Sequence, residues 1–87
     1  MATLNTMQGT WYCNGHAITI SGDRATQQGL PAQKLFPVER VIAGKKTITV
    51  ARQLDGEEVV VDPRASSADQ IAWLNQGGEH VRIWMRG

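Results

Sequence analysis

The stretch Thr10-Trp11-Tyr12-Cys13-Asn14-Gly15-His16-Ala17-Ile18-Thr19-Ile20 decides the fold class. Asn-Gly is the strongest short-range hairpin signal, because both central residues of a type I′ turn need φ > 0, which Asn tolerates and Gly adopts freely. A two-residue loop sets Cys13 opposite His16, Tyr12 opposite Ala17 and Trp11 opposite Ile18. Side chains alternate along a strand, so Trp11, Cys13, His16, Ile18 and Ile20 share one face. Tyr12, Ala17 and Thr19 take the other.

Working outward, Gly22-Asp23 is a second two-residue turn that pairs Ser21 with Arg24 and Ile20 with Ala25. Gly29-Leu30-Pro31 interrupts the pattern. Lys34 to Ile42 reads as a strand, and Pro37 marks it as an edge or a bulge because proline has no N–H for a ladder. Ala43-Gly44-Lys45-Lys46 turns the chain into the alternating Thr47-Ile48-Thr49-Val50. Asp55-Gly56 then pairs Leu54 with Glu57, Arg52 with Val59 and Val50 with Val61, which puts Ile48, Val50, Leu54, Val59 and Val61 on one face. Ser66-Ser67-Ala68-Asp69 has the spacing of a helix-capping box, but a helix over 66–75 is too short to stand on propensity. The favoured reading is a strand over 71–74, joined by the glycine-rich loop Asn75-Gln76-Gly77-Gly78 to a strand over 80–85.

The expected fold is therefore all-β: a small antiparallel up-and-down barrel, or a strongly curved sheet, of seven or eight short strands. Short turns force successive strands to pair, and closure removes sticky edges. Residues 1–8 are expected as a flexible lead-in and 9–87 as a single small β domain.

Eighty-seven residues with nine basic and eight acidic side chains, net +1, carry no field strong enough to steer the protein toward nucleic acid or an anionic membrane. One cysteine excludes an internal disulfide and fits a reducing compartment. The amino-terminal residues lack the pattern of a signal peptide, and no apolar run approaches a membrane span. These features predict a soluble, intracellular protein, cytoplasmic by default.

Gly9-Thr10-Trp11-Tyr12 resembles the first strand of calycins, the lipocalin and avidin superfamily. There a Gly-x-Trp plugs one end of a ligand-binding barrel, and in lipocalins the tryptophan packs against an arginine of the last strand. The resemblance implies Arg82 or Arg86 for that place. It covers about a dozen residues, and the chain is shorter than known calycin barrels and lacks a second lipocalin motif. A looser likeness, through Trp11, Ile18 to Gly22, Ile71 to Gly77 and Trp84-Met85-Arg86, looks like uncharacterised short β-domains of algal proteins and implies a fold only.

Several constellations bear on function. Cys13 facing His16 has the chemistry of an activated thiol or of half a zinc site, but no third group accompanies them, and Cys13 also suits the rim of a core. No catalytic residue, metal site or cofactor is therefore assigned. Asp23, Asp55, Glu57 and Glu58 sit at or beside turns, where they satisfy local backbone. Arg52 shares a face with Val50 and Val59, so it must reach a carboxylate, an aromatic face, a ligand anion or the rim. If Asn75 pairs with His80, then Ile71, Trp73, Arg82, Trp84 and Arg86 share one face, while Ala72, Leu74, Val81, Ile83 and Met85 share the other.

Both faces are too apolar to meet water. The first functional reading is accordingly a non-enzymatic binding or assembly module. It would act through Trp73, Arg82, Trp84 and Arg86 on itself or another protein, the residue types enriched at interface hot spots. The second is a calycin-like pocket for a small apolar or anionic ligand, walled by Trp11, Ile18, Ile20 and Val50 and anchored by Arg52. The third is stacking of single-stranded nucleic acid on the aromatic and arginine alternation.

Overall fold

The computed structural model describes residues 4–54 and 56–87. Residues 1–3 of the expected lead-in and Asp55 of the expected Asp55-Gly56 turn lie outside them. The chain forms β1 (Gly9–Cys13), β2 (His16–Ser21), β3 (Arg24–Gln27), β4 (Gln33–Lys34), β5 (Phe36–Ile42), β6 (Lys45–Leu54), β7 (Glu57–Val61), β8 (Gln70–Leu74) and β9 (His80–Arg86). Among the described residues there is no helix, hence none long and apolar enough to cross a membrane. Residues 66–75 are loop and strand, as their apolar pattern requires.

All nine strands belong to one antiparallel sheet in the order β4-β3-β2-β1-β9-β8-β7-β6-β5. The ends of that order are joined covalently, because β4 and β5 are two halves of one run that changes partner at Leu35. Lys34 pairs with Arg24 of β3, Leu35 N–H donates to the Asp23 carbonyl at 2.7 Å, and Phe36 pairs with Ala51 of β6. Counted as one strand, that run makes the sheet an eight-stranded, nearly closed up-and-down barrel.

The turns set the register they were expected to set. Asn14 and Gly15 have φ of 51° and 80°, and Cys13 faces His16 across them. Ser21 faces Arg24, Ile20 faces Ala25, Leu54 faces Glu57 and Arg52 faces Val59. In the last hairpin Ile71 faces Trp84 and Trp73 faces Arg82, but the ladder shifts by one at Leu74, which pairs with His80. The glycine-rich loop closes there through Asn75 N–H to the Glu79 carbonyl, one residue earlier than a straight ladder allows.

Inside the barrel Trp11, Trp73 and Trp84 are buried with Met7, Ile20, Leu35, Val59, Val61 and Ile71. Three indoles fill most of the interior of so short a barrel, each burying on the order of 200 Å². Trp11 closes one end. Its Nε1 donates to the Met7 carbonyl at 2.8 Å, and the Arg86 guanidinium lies over its ring with Cζ 4.1 Å from the centroid. Arg86 donates in turn to the carbonyls of Gln8, Thr6 and Ala68. Gly9 makes room for this: a β-carbon there would stand 2.8 Å from Arg86 Nη1, and its φ of 117° is one that a side chain resists. Of the two arginines named for Trp11, Arg86 is the one that lies over its ring.

Three expectations need correction. Residues 4–8 do not act as a lead-in: Met7 is 1% exposed, Leu4 packs on the core, and the Gln8 side chain bonds the backbone of Leu4 and Gly22. Ile48 is 68% exposed although it has the parity of Val50, because β7 pairs only with Ala51 to Leu54 and the first half of β6 runs on beyond the barrel with β5 alone. Finally, much of the outer face of β8 is covered by the chain itself. Ile42, at the end of β5, packs with Ala51, Val60 and Leu74, while the segment after β7 reaches Ala72, whose carbonyl accepts from Asp62 N–H and whose N–H donates to Ser66 Oγ.

Replacing Trp11 by Ala should cost about 3–5 kcal/mol, since neighbours tied by β-ladders cannot collapse into the cavity. Ile48→Ala should change stability by less than about 0.5 kcal/mol. Urea denaturation of both variants against the parent checks the contrast.

Candidate functional site

At the end of the barrel away from Trp11 and Arg86 lies an open cleft of about 560 Å³. The period of two along each strand brings its walls together. Cys13, Asn14 and His16 come from the first hairpin, Ile18 from β2, Ala25 and Gln27 from β3, Gln33 from β4, Arg52 and Leu54 from β6, and Arg82 and Trp84 from β9. Leu30, Pro31 and Ala32, in the β3–β4 connection, lean over the mouth, and Leu30 is exposed.

Arg52 stands in the wall of this cleft although it is only 3% exposed. Its Cζ is 4.6 Å from the centroid of Trp73 and 4.7 Å from that of Trp84, and the two rings are 5.0 Å apart at 58°. These distances make a nearly equilateral triangle, so the guanidinium caps a notch between the indoles rather than lying sandwiched between them. Each face contributes about 0.5–2 kcal/mol to holding the cation. Arg52 Nη1 also donates to Gln33 Oε1 at 3.1 Å, and Gln33 Nε2 donates to the Gln53 carbonyl at 2.9 Å. One glutamine thus fixes the cation and ties β4 to β6. Among the described lining residues Arg52, Arg82 and His16 can carry positive charge, and none is a carboxylate.

The residues expected at a site divide unevenly. Ile18 and Arg52 of the proposed pocket wall reach the cleft, whereas Trp11, Ile20 and Val50 are buried beneath it. Of the proposed partner surface, Trp73 and Trp84 point into the barrel, Arg82 stands at the cleft and Arg86 plugs the opposite end. These four do not form one outer face, because the face shared by Ile71, Trp73 and Trp84 is the one turned inward. Cys13 and His16 do face each other in the cleft wall. Among the described residues no group of three His, Cys, Asp or Glu side chains stands together as a metal site. Gln27, Gln33 and the 30–32 segment escaped the sequence reading; their only signal was that Gly29-Leu30-Pro31 must span between strands at one end of the barrel.

A second polar centre lies at the end of β7. Asp62 is 1% exposed and accepts from Arg64 N–H, Nε and Nη2, and its Oδ2 is 2.8 Å from His80 Nε2. Burial alone would raise its pKa, but the hydrogen bonds from Arg64 and His80 outweigh burial and hold the carboxyl below its ordinary value of 3.8. Ser66, Gln70 and Ala72 continue the network and fix the β7–β8 connection.

No protein-family model, curated protein or solved structure matches this chain.

Because the Asp62 carboxyl is depressed in the folded state, the stability it contributes is present above pH 3.8 and is lost as pH falls through its lower folded value. Asp62→Asn should flatten that part of the stability profile and cost about 1–3 kcal/mol at neutral pH, where Arg64 and His80 lose an ionic acceptor. Urea midpoints of parent and variant, measured from about pH 6 to 2, give the difference.

Proposed function

We propose that this chain is a non-enzymatic, calycin-like binding barrel whose open mouth holds a small ligand with an apolar body and an anionic group. The observation that carries the reading is Arg52: a nearly buried guanidinium, fixed by two indoles and an amide, in the wall of an otherwise open cleft. An anionic group in the cleft lies beside this low-dielectric wall, where charges attract far more strongly than in water. Ile18, Ala25, Leu30, Pro31, Leu54 and Trp84 offer the apolar contact, and Arg82 adds positive potential at the entrance. About 560 Å³ is within the range of small-molecule sites. Trp11 and Arg86 stand together at the other end.

The assembly reading has less support, since its tryptophans are interior. The nucleic-acid reading needs exposed rings along a basic groove, and the buried tryptophans do not supply them.

The test uses two dyes of similar shape, the anionic 1-anilinonaphthalene-8-sulfonate and the uncharged N-phenyl-1-naphthylamine, followed by dye emission and by quenching of tryptophan. The sulfonate should bind at least about tenfold more tightly, the equivalent of 1.4 kcal/mol. Arg52→Met keeps an aliphatic stem on the two rings and should abolish that preference, with near-UV circular dichroism confirming the fold. Equal binding of the two dyes, or no binding by the folded parent, overturns the proposal.

A further inference from the structure

Among the described residues β5 is the one long strand left with an open side. It ends the order of the sheet, bonded only to β6, and no other strand runs beside it. Ala43 and Gly44 have φ of 53° and 77° and form a two-residue type I′ turn, so Ile42 and Lys45 flank the turn as a hydrogen-bonded pair. Antiparallel pairs alternate, so Arg40 and Thr47, Val38 and Thr49, and Phe36 and Ala51 are also bonded pairs. Pro37, Glu39 and Val41 therefore turn their backbone groups away from β6, toward open space. Proline brings no N–H, which leaves the N–H groups of Glu39 and Val41 and the carbonyls of all three. The Glu39 carbonyl accepts Arg40 Nη1 at 2.9 Å and keeps a second lone pair. Beside this edge Val41 and Ile48 are 69% and 68% exposed, the two most exposed large aliphatics among the described residues.

We propose that the β5 edge is a self-association site, at which two copies pair β5 against β5 about a two-fold axis, with Arg40 facing Arg40 and each Glu39 facing the other copy's Val41. In this register Glu39 and Val41 of each copy exchange both backbone bonds, four in all, and no proline has to donate. The side chains then complement one another. Across four strands a row reads Lys46, Val41, then Glu39 and Ile48 of the second copy, and the two-fold mate of that row lies beside it. Val41 and Ile48 of both copies alternate between the two rows and form one zigzag apolar stripe. Each Glu39, already 3.5 Å from Lys46 of its own chain, gains the second copy's Lys46 across Val41. The alternative bonded register, Glu39 against Glu39, opposes like charges and leaves the copies' prolines facing Val41. On the outer face Arg40 is paired with Glu58 of its own chain, which offsets its approach to its twin. One strand pair buries less than the roughly 1,000 Å² of a lasting interface, so association should be weak and reversible.

The test is cross-linking in a Cys13→Ser background, with Arg40→Cys and Glu39→Cys compared under mild oxidation. Residues facing each other across a non-bonded antiparallel pair have Cα atoms about 4.5 Å apart, within disulfide reach. Arg40→Cys should form a disulfide dimer at least about tenfold faster than Glu39→Cys, a difference of 1.4 kcal/mol in barrier. Faster linking through Glu39→Cys, or linking through neither, overturns the register. Sedimentation of the unmodified chain and of Val41→Glu, a substitution at an exposed position, guards against a variant that fails to fold. The parent should dimerise at roughly 0.5 mM and Val41→Glu should not. A parent that stays monomeric, including one whose edge captures only a foreign peptide, overturns self-pairing.

Discussion

Arginine stacked on tryptophan stands at both ends of this barrel. Three buried indoles stand among the aliphatic side chains of the interior, and each turns a ring face to an arginine. Arg86 covers Trp11 and spends its donors on the carbonyls of Thr6, Gln8 and Ala68. Arg52 covers the notch of Trp73 and Trp84 and donates to Gln33. The first cap is tied to backbone all round and is a seal. The second stands in the wall of an open cleft.

The hairpins were legible because each turn fixes a register by local chemistry. Asn14-Gly15 and Gly22-Asp23 set the pairs from Gly9 to Gln27 without help from the rest of the chain. What depends on distant residues was not legible. The partner change at Leu35 arises because β6 stands beside the run that β3 has just left, and nothing within Lys34-Leu35-Phe36 announces it. Ile48 obeys the alternation and is still exposed, since parity says which way a side chain points but not whether anything lies there.

The same limit explains the site. That Arg52 must find a carboxylate, an aromatic face, a ligand anion or the rim follows from the face it shares with Val50 and Val59; that two rings meet it follows only from barrel curvature. The face of Trp73 and Trp84 was legible as a face, but its direction was not, because both faces of the last hairpin are apolar. The loop after β7, organised by Asp62, and the curled end of β5 decided the matter by covering the outer side.

Seven of the eight strand pairings join neighbours in sequence; the eighth joins β1 to β9 through Trp11 with Arg86 and Tyr12 with Met85. Those two pairs enclose nearly the whole chain in one loop, whose closure entropy is the largest in the molecule. The hairpins can form early and independently, whereas the ring waits for its last stave. Opening at that seam frees few backbone bonds and leaves every hairpin intact, so the barrel has a built-in slit beside the Trp11 plug. Arg86, bound to both sides of the slit, acts as its clasp.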